Sequence, residues 1–111
     1  MTEMNEKRNM FLESPLFEGI SREKLLDIFR TVQHTIVPAN TIVFRQGDPG
    51  DSFYIIYSGK ARVFRERRTG EKTELAILGP GDSIGEMSLL TGEERSAYLE
   101  TMEETHLLVV R

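Results

Sequence analysis

The chain has no cysteine, so it carries neither a disulfide framework nor a thiolate-bound metal or iron–sulfur cluster. That composition fits a reducing compartment, and a cytoplasmic protein is expected. Histidine is scarce too: there are only His34 and His106, far apart in sequence, and no His-x-His pair. This speaks against a metal-dependent β-barrel enzyme of the cupin type, and no metal is expected. Neither histidine stands in a nucleophile–base motif, so the chain reads as non-enzymatic. The apolar runs are a handful of residues long, too short to span a membrane. Residues 1–8 are polar and carry both charge signs, unlike a secretory signal. An excess of positive charge is also missing. The formal net charge of -4 argues against binding of a nucleic-acid backbone by this segment. There is no internal repeat and no low-complexity tract.

What is present fits one small domain: 111 residues, 39% of them hydrophobic, enough for a single core. Residues 1–9 read as a flexible N-terminus and 10–111 as the folded domain. A helical section opens at Met10, Phe11 and Leu12, runs through Pro15, Leu16 and Phe17, and is broken by Gly19. Ser21 is a good N-cap, though Lys24 three positions on leaves the capping box incomplete. Leu25, Leu26, Ile28 and Phe29 then mark the buried side of a helix of about three turns. From Gln33 the pattern changes to strands. Residues 35–37 lead into a turn at 38–40, and 41–44 return. Residues 47–51 are a dense turn signal. The segment 52–58 alternates with both faces apolar, as in a strand covered on both sides. Gly59 turns the chain into 61–65, residues 67–70 form a hairpin tip, 74–78 follow, and 79–82 turn again. Segments 97–100 and 105–110 close the series. Seven or eight such strands predict an all-β sandwich or barrel. The six cations Lys60, Arg62, Arg65, Arg67, Arg68 and Lys72 lie on that hairpin. They read as a solvated edge, because the aromatics do not interleave with them as stacking platforms would.

The most informative stretch is residues 85–97, Gly-Glu-Met-Ser-Leu-Leu-Thr-Gly-Glu-Glu-Arg-Ser-Ala. It reads as a short helical turn between glycines, with an acid at its start and an arginine near its end. Backbone N–H groups at a helix start attract negative charge. A guanidinium offers planar donors to phosphate oxygens, whereas a carboxylate can only accept, for example from a sugar hydroxyl. Arg95 is the only Lys or Arg between Lys72 and Arg111, among eight carboxylates. Each residue also has a plain structural reading. Glu86 could merely complement a helix dipole, and Arg95 could pair with Glu86, Glu93 or Glu94. Ser96 could be an ordinary strand residue, Gly85 a strand-to-helix corner, and Ala97 a close-packing position.

Residues 85–97 are similar to the phosphate-binding cassette of cyclic nucleotide-binding domains: Gly85, Glu86, the small and apolar residues 87–90, Gly92, Arg95, and Ser96 with Ala97. Glu86 and Arg95 stand nine positions apart, as in kinase-type cassettes. Upstream, residues 44–59 resemble the glycine-punctuated core of the same family, so that the likeness covers roughly 16–110. The resemblance implies a mainly β fold: a jelly-roll-like β-roll, a double-stranded β-helix, with a short N-terminal helical segment and a small cassette helix. It implies a cyclic nucleotide site at Gly85, Glu86, Met87, Ser88, Arg95, Ser96 and Ala97, with cAMP or cGMP as ligand and no cofactor. Arg95, Ser96 and backbone N–H groups would meet the cyclic phosphate, and Glu86 the ribose hydroxyl. The sugar and base would pack on side chains such as Ile77, Ile84 or Leu89. Ser96 does not decide between the two bases. The usual C-terminal lid helices are not in the sequence, and an effector domain downstream or a homodimer is the expected partner. The competing expectation is a β-roll that has lost its ligand and serves as a protein-interaction or dimerisation module. That reading predicts an exposed apolar face on the helix over 21–30.

Overall fold

A computed structural model of the chain describes residues 2–85 and 93–111. The small helix expected directly after Gly85 lies outside the described residues. The elements are α1 (Thr2–Leu12), a 3-10 turn (Pro15–Phe17), α2 (Arg22–Phe29), and eight strands. The strands are β1 (Gln33–Val37), β2 (Ile42–Phe44), β3 (Phe53–Ser58), β4 (Ala61–Glu66), β5 (Lys72–Leu78), β6 (Ser83–Ile84), β7 (Tyr98–Thr101) and β8 (Thr105–Val110). They form two antiparallel sheets ordered β1-β8-β3-β6 and β2-β7-β4-β5.

Ser21 caps α2 as its sequence predicts: the side chain accepts from Lys24 N at 3.2 Å. The helix has eight residues, nearer two turns than three. The helical section begins at Thr2, not at Met10. Eleven residues make a short helix by themselves, and tertiary contacts hold α1. Phe11 is fully buried, and Lys7 is only 8% exposed. Tyr57 Oη on β3 donates to Glu6 at 2.8 Å.

The turn at 38–40 does not fold 41–44 back along β1. It carries the chain to the other sheet, where β2 pairs with β7 while β1 pairs with β8. Asn40 makes this corner at φ 57, a conformation Asn tolerates. The buried Thr101 ties it down: its Oγ1 donates to Pro38 O at 2.6 Å and accepts from Thr41 N at 2.9 Å. The hairpin of β4 and β5 is present as expected, closed by Arg67 N to Glu71 O at 2.8 Å, and β5 is an exposed edge strand. Several of its cations have internal partners: Arg62 pairs with Glu100 at 2.7 Å, and Arg65 Nε donates to Ser96 O at 3.1 Å.

Two cores follow from strand alternation. Phe44, Ile56, Ala61, Val63, Ala97, Leu99, Leu107 and Val109 fill the space between the sheets. Phe53, Ile55, Leu108 and Val110, from the opposite face of the first sheet, meet Phe11, Phe17 and Leu25 of the helical section. Strands β3 and β8 are therefore covered on both sides, the predicted arrangement for 52–58. The apolar side of α2 is used in this second core. Leu25 is buried, and Ile28 and Phe29 pack against the cluster.

Candidate functional site

Arg95 lies just before β7 and is only 4% exposed. Two backbone bonds fix its main chain against the turn at 47–51: Gly47 N donates to Arg95 O, and Arg95 N donates to Asp48 O, each at 2.8 Å. The side chain then runs inward. Nη1 donates to Gly85 O at 3.0 Å, and Nη2 makes a short bond to Ser52 O. The guanidinium stands 4.5 Å over the Phe44 ring and 5.8 Å from the Tyr54 ring, so aromatic faces take part of its charge. Phe44 and Tyr54 stack on each other at 5.9 Å. Among the described residues, Arg95 Nε is buried without a hydrogen-bond partner.

A buried charge is costly unless its donors are met. Here two carbonyls supply only partial negative charge, and among the described residues Nε has no partner. The guanidinium is thus held rigid by strand and turn backbone while keeping capacity for an anion, which is what pre-organised recognition requires.

Gly85 is required by this packing. Its φ is 97, and a Cβ there would fall 2.5 Å from Arg95 Nη1 and 3.2 Å from Ser52 O. The corner that ends β6 and the arginine seat are therefore one feature. Ser96 is exposed, and its carbonyl takes the Arg65 bond. Ala97 is 6% exposed and packs in the inter-sheet core, the close-packing reading of that position. Gly85, Arg95, Ser96 and Ala97 are thus brought to one place, at the junction of β6, β7 and the turn before β3. Glu86, Met87, Ser88 and Leu89 lie outside the described residues. Of the side chains expected near a sugar or base, Ile84 packs on the inter-sheet core, while Ile77 is 48% exposed on the edge strand.

Ser52, Phe44 and Tyr54 were not singled out by sequence. A backbone carbonyl has no sequence signature, and an aromatic beneath a guanidinium reads as ordinary core. The one available signal was the dense turn at 47–51, which must contact something fixed. Among the described residues, no group of three or more His, Cys, Asp or Glu could hold a metal ion, and no helix is long and apolar enough to cross a membrane.

The family model of the "Cyclic nucleotide-binding domain" matches residues 35–111. The chain belongs to the cyclic nucleotide-binding domain family. It is 42% identical over 97 residues to the cyclic AMP receptor protein of Thermus thermophilus, covering 87% of this chain and 45% of that protein. The crystal structure of the Thermus thermophilus catabolite activator protein superposes with TM-score 0.78 at 42% identity, covering 87% of this chain and 46% of that one. The regulatory domain of Toxoplasma gondii PKA, crystallised with cAMP, superposes with TM-score 0.91 at 26% identity, covering 98% of this chain and 41% of that one. The chain thus spans less than half the length of each of these relatives. Mainly β architecture, two sheets and a regulatory ligand-binding domain are what this family membership establishes.

Proposed function

We propose that this chain is a cytoplasmic sensor domain that binds a cyclic mononucleotide, cAMP first, within residues 10–111. The observation that carries the reading is the buried Arg95 guanidinium, seated by Gly85 O and Ser52 O, with Nε unpartnered among the described residues. The cyclic phosphate meets Arg95, Ser96 and the N–H groups following Gly85, and Met87, Ser88 and Ala97 line the same cassette. Glu86 accepts from the ribose hydroxyl, the group that distinguishes a cyclic ribonucleotide from inorganic phosphate. The chain acts by binding and not by catalysis. Occupancy draws on groups anchored to β2, β3 and the 47–51 turn, so it biases the cassette and the packing beside it toward one state, to be read by an effector domain or a second copy. A Toxoplasma relative crystallised with cAMP and a Thermus relative named for cyclic AMP support the choice of base. A ligand-free interaction module is less well supported, since the apolar side of α2 is occupied in the helical core.

Calorimetric titration with cAMP, cGMP and 5′-AMP tests the proposal. Saturable binding of a cyclic nucleotide but not of 5′-AMP is expected; no heat and no thermal shift at millimolar concentrations of both cyclic ligands refutes it. The ribose assignment has its own test. Glu86→Gln should weaken cAMP more than it weakens 2′-deoxy-cAMP, and equal losses for the two ligands would remove Glu86 from that role.

A further inference from the structure

His34 and His106 are 72 positions apart in sequence, but β1 and β8 pair so that both stand on the sheet face that carries the helices. His34 Nε2 lies 3.1 Å from His106 Nδ1. On the other side, Lys7 Nζ of α1 lies 2.8 Å from His34 Nδ1, and His106 Nε2 lies 3.3 Å from Glu104 Oε1. An ammonium can only donate, so His34 Nδ1 must be the unprotonated acceptor. Its proton is then on Nε2, which donates to His106 Nδ1, and His106 Nε2–H faces the Glu104 carboxylate. One arrangement of protons satisfies the whole chain, and in it both imidazoles are neutral.

We propose that Lys7, His34 and His106 form an acid-sensitive latch that clips the first turns of α1 to the β-roll and opens when His34 is protonated. A proton on His34 Nδ1 sets a cationic donor against the Lys7 ammonium at 2.8 Å. Neither can accept, like charges meet, and the contact breaks. Phe11, fully buried, keeps the C-terminal end of α1 in place, so release concerns the residues before Met10.

The groups around His34 fix the sign. From α1 come Lys7 and the opposing Glu3, whose carboxylate is 3.5 Å from Lys7 Nζ. Glu6 is engaged by Tyr57 on β3, and that hydrogen bond holds the phenol above its ordinary pKa of 10.0, so the phenol remains a protonated donor in this second tie as pH falls. From β8 and the turn before it come His106 and Glu104. Arg30, after α2, lines the same cleft and pairs with Asp27 at 3.3 Å. Partial burial, then Lys7, then His106, lower the His34 pKa from 6.5, and Glu3 only partly offsets them. A lowered histidine pKa means that the undocked state binds the proton more readily. Docking of α1 is therefore fully favoured above about pH 6.5 and weakens as pH falls toward the depressed value.

The latch needs no nucleotide, and its test is separate. With EDTA present, hydrogen–deuterium exchange of the amides of residues 6–9, corrected for intrinsic rates, is compared at about pH 7.5 and about pH 5.5. Exchange should accelerate at the lower pH, by up to about tenfold for each unit by which the His34 pKa is depressed, while the strands stay protected. His34→Gln should remove the difference. Lys7→Met should raise the His34 titration midpoint seen by NMR, which carries the test if His34→Gln does not fold. Unchanged protection in the natural chain, a difference that survives His34→Gln, or a midpoint unmoved by Lys7→Met would each overturn the latch.

Discussion

Arg95→Ala is expected to lower cyclic nucleotide affinity by about tenfold to about 150-fold, the equivalent of about 1.5–3 kcal/mol for charge-assisted hydrogen bonds. The loss exceeds that of a surface arginine because this one is already desolvated and fixed. Its main chain is tied to the 47–51 turn and its two Nη atoms to Gly85 and Ser52. Arg95→Lys should fall between the natural chain and the alanine variant. Lysine keeps the charge but cannot span both carbonyls while presenting a further planar donor. Both titrations need circular dichroism beside them. A folded Arg95→Ala variant that binds like the natural chain would remove the phosphate from Arg95. A variant that no longer folds would mark the residue as chiefly structural, the seat of the two carbonyls.

The strands that carry most of the core were the ones the sequence displayed best. Residues 107–110 are a continuous apolar run and 52–58 alternate between two apolar faces, since each strand is buried on both sides. The sheet crossing at 38–40 resembles a return in sequence because Pro-Ala-Asn signals a corner but not its destination. Thr101, 63 residues from Pro38, decides that. Strand β6 was hidden behind its turn, being two residues long. For the site, glycines and an isolated arginine were legible because steric and charge demands restrict residue type. The seat of that arginine was not, because Ser52 contributes a carbonyl and Phe44 an aromatic face that any core strand could offer. The histidine pair was invisible for a related reason. Only the β1–β8 register brings His34 to His106.

The largest stability effect expected from one added methyl group is at Gly59, which joins β3 to β4 where the chain passes between sheets. Its φ is 100, and a Cβ there would lie 2.6 Å from Glu104 O, 2.6 Å from Thr105 Oγ1 and 2.7 Å from Thr105 Cα. Two of these are backbone atoms. Thr105 has no room to retreat: it is fully buried, and its Oγ1 donates to Glu103 O at 2.8 Å and lies 3.2 Å from Lys60 O. Gly70, at the hairpin tip, has φ 87 and nothing within 4 Å of the same added atom. Gly70→Ala should therefore cost only the unfavourable backbone conformation, about 1–3 kcal/mol. Gly59→Ala should cost that plus about 1–3 kcal/mol of overpacking. Urea unfolding of the two variants, with unchanged dependence on denaturant, isolates the difference. Equal losses would mean that the segment before β8 yields freely to Gly59. A larger loss at Gly59 would show that the start of β8, which presents His106 to His34, is held in place by the crossing of the two sheets.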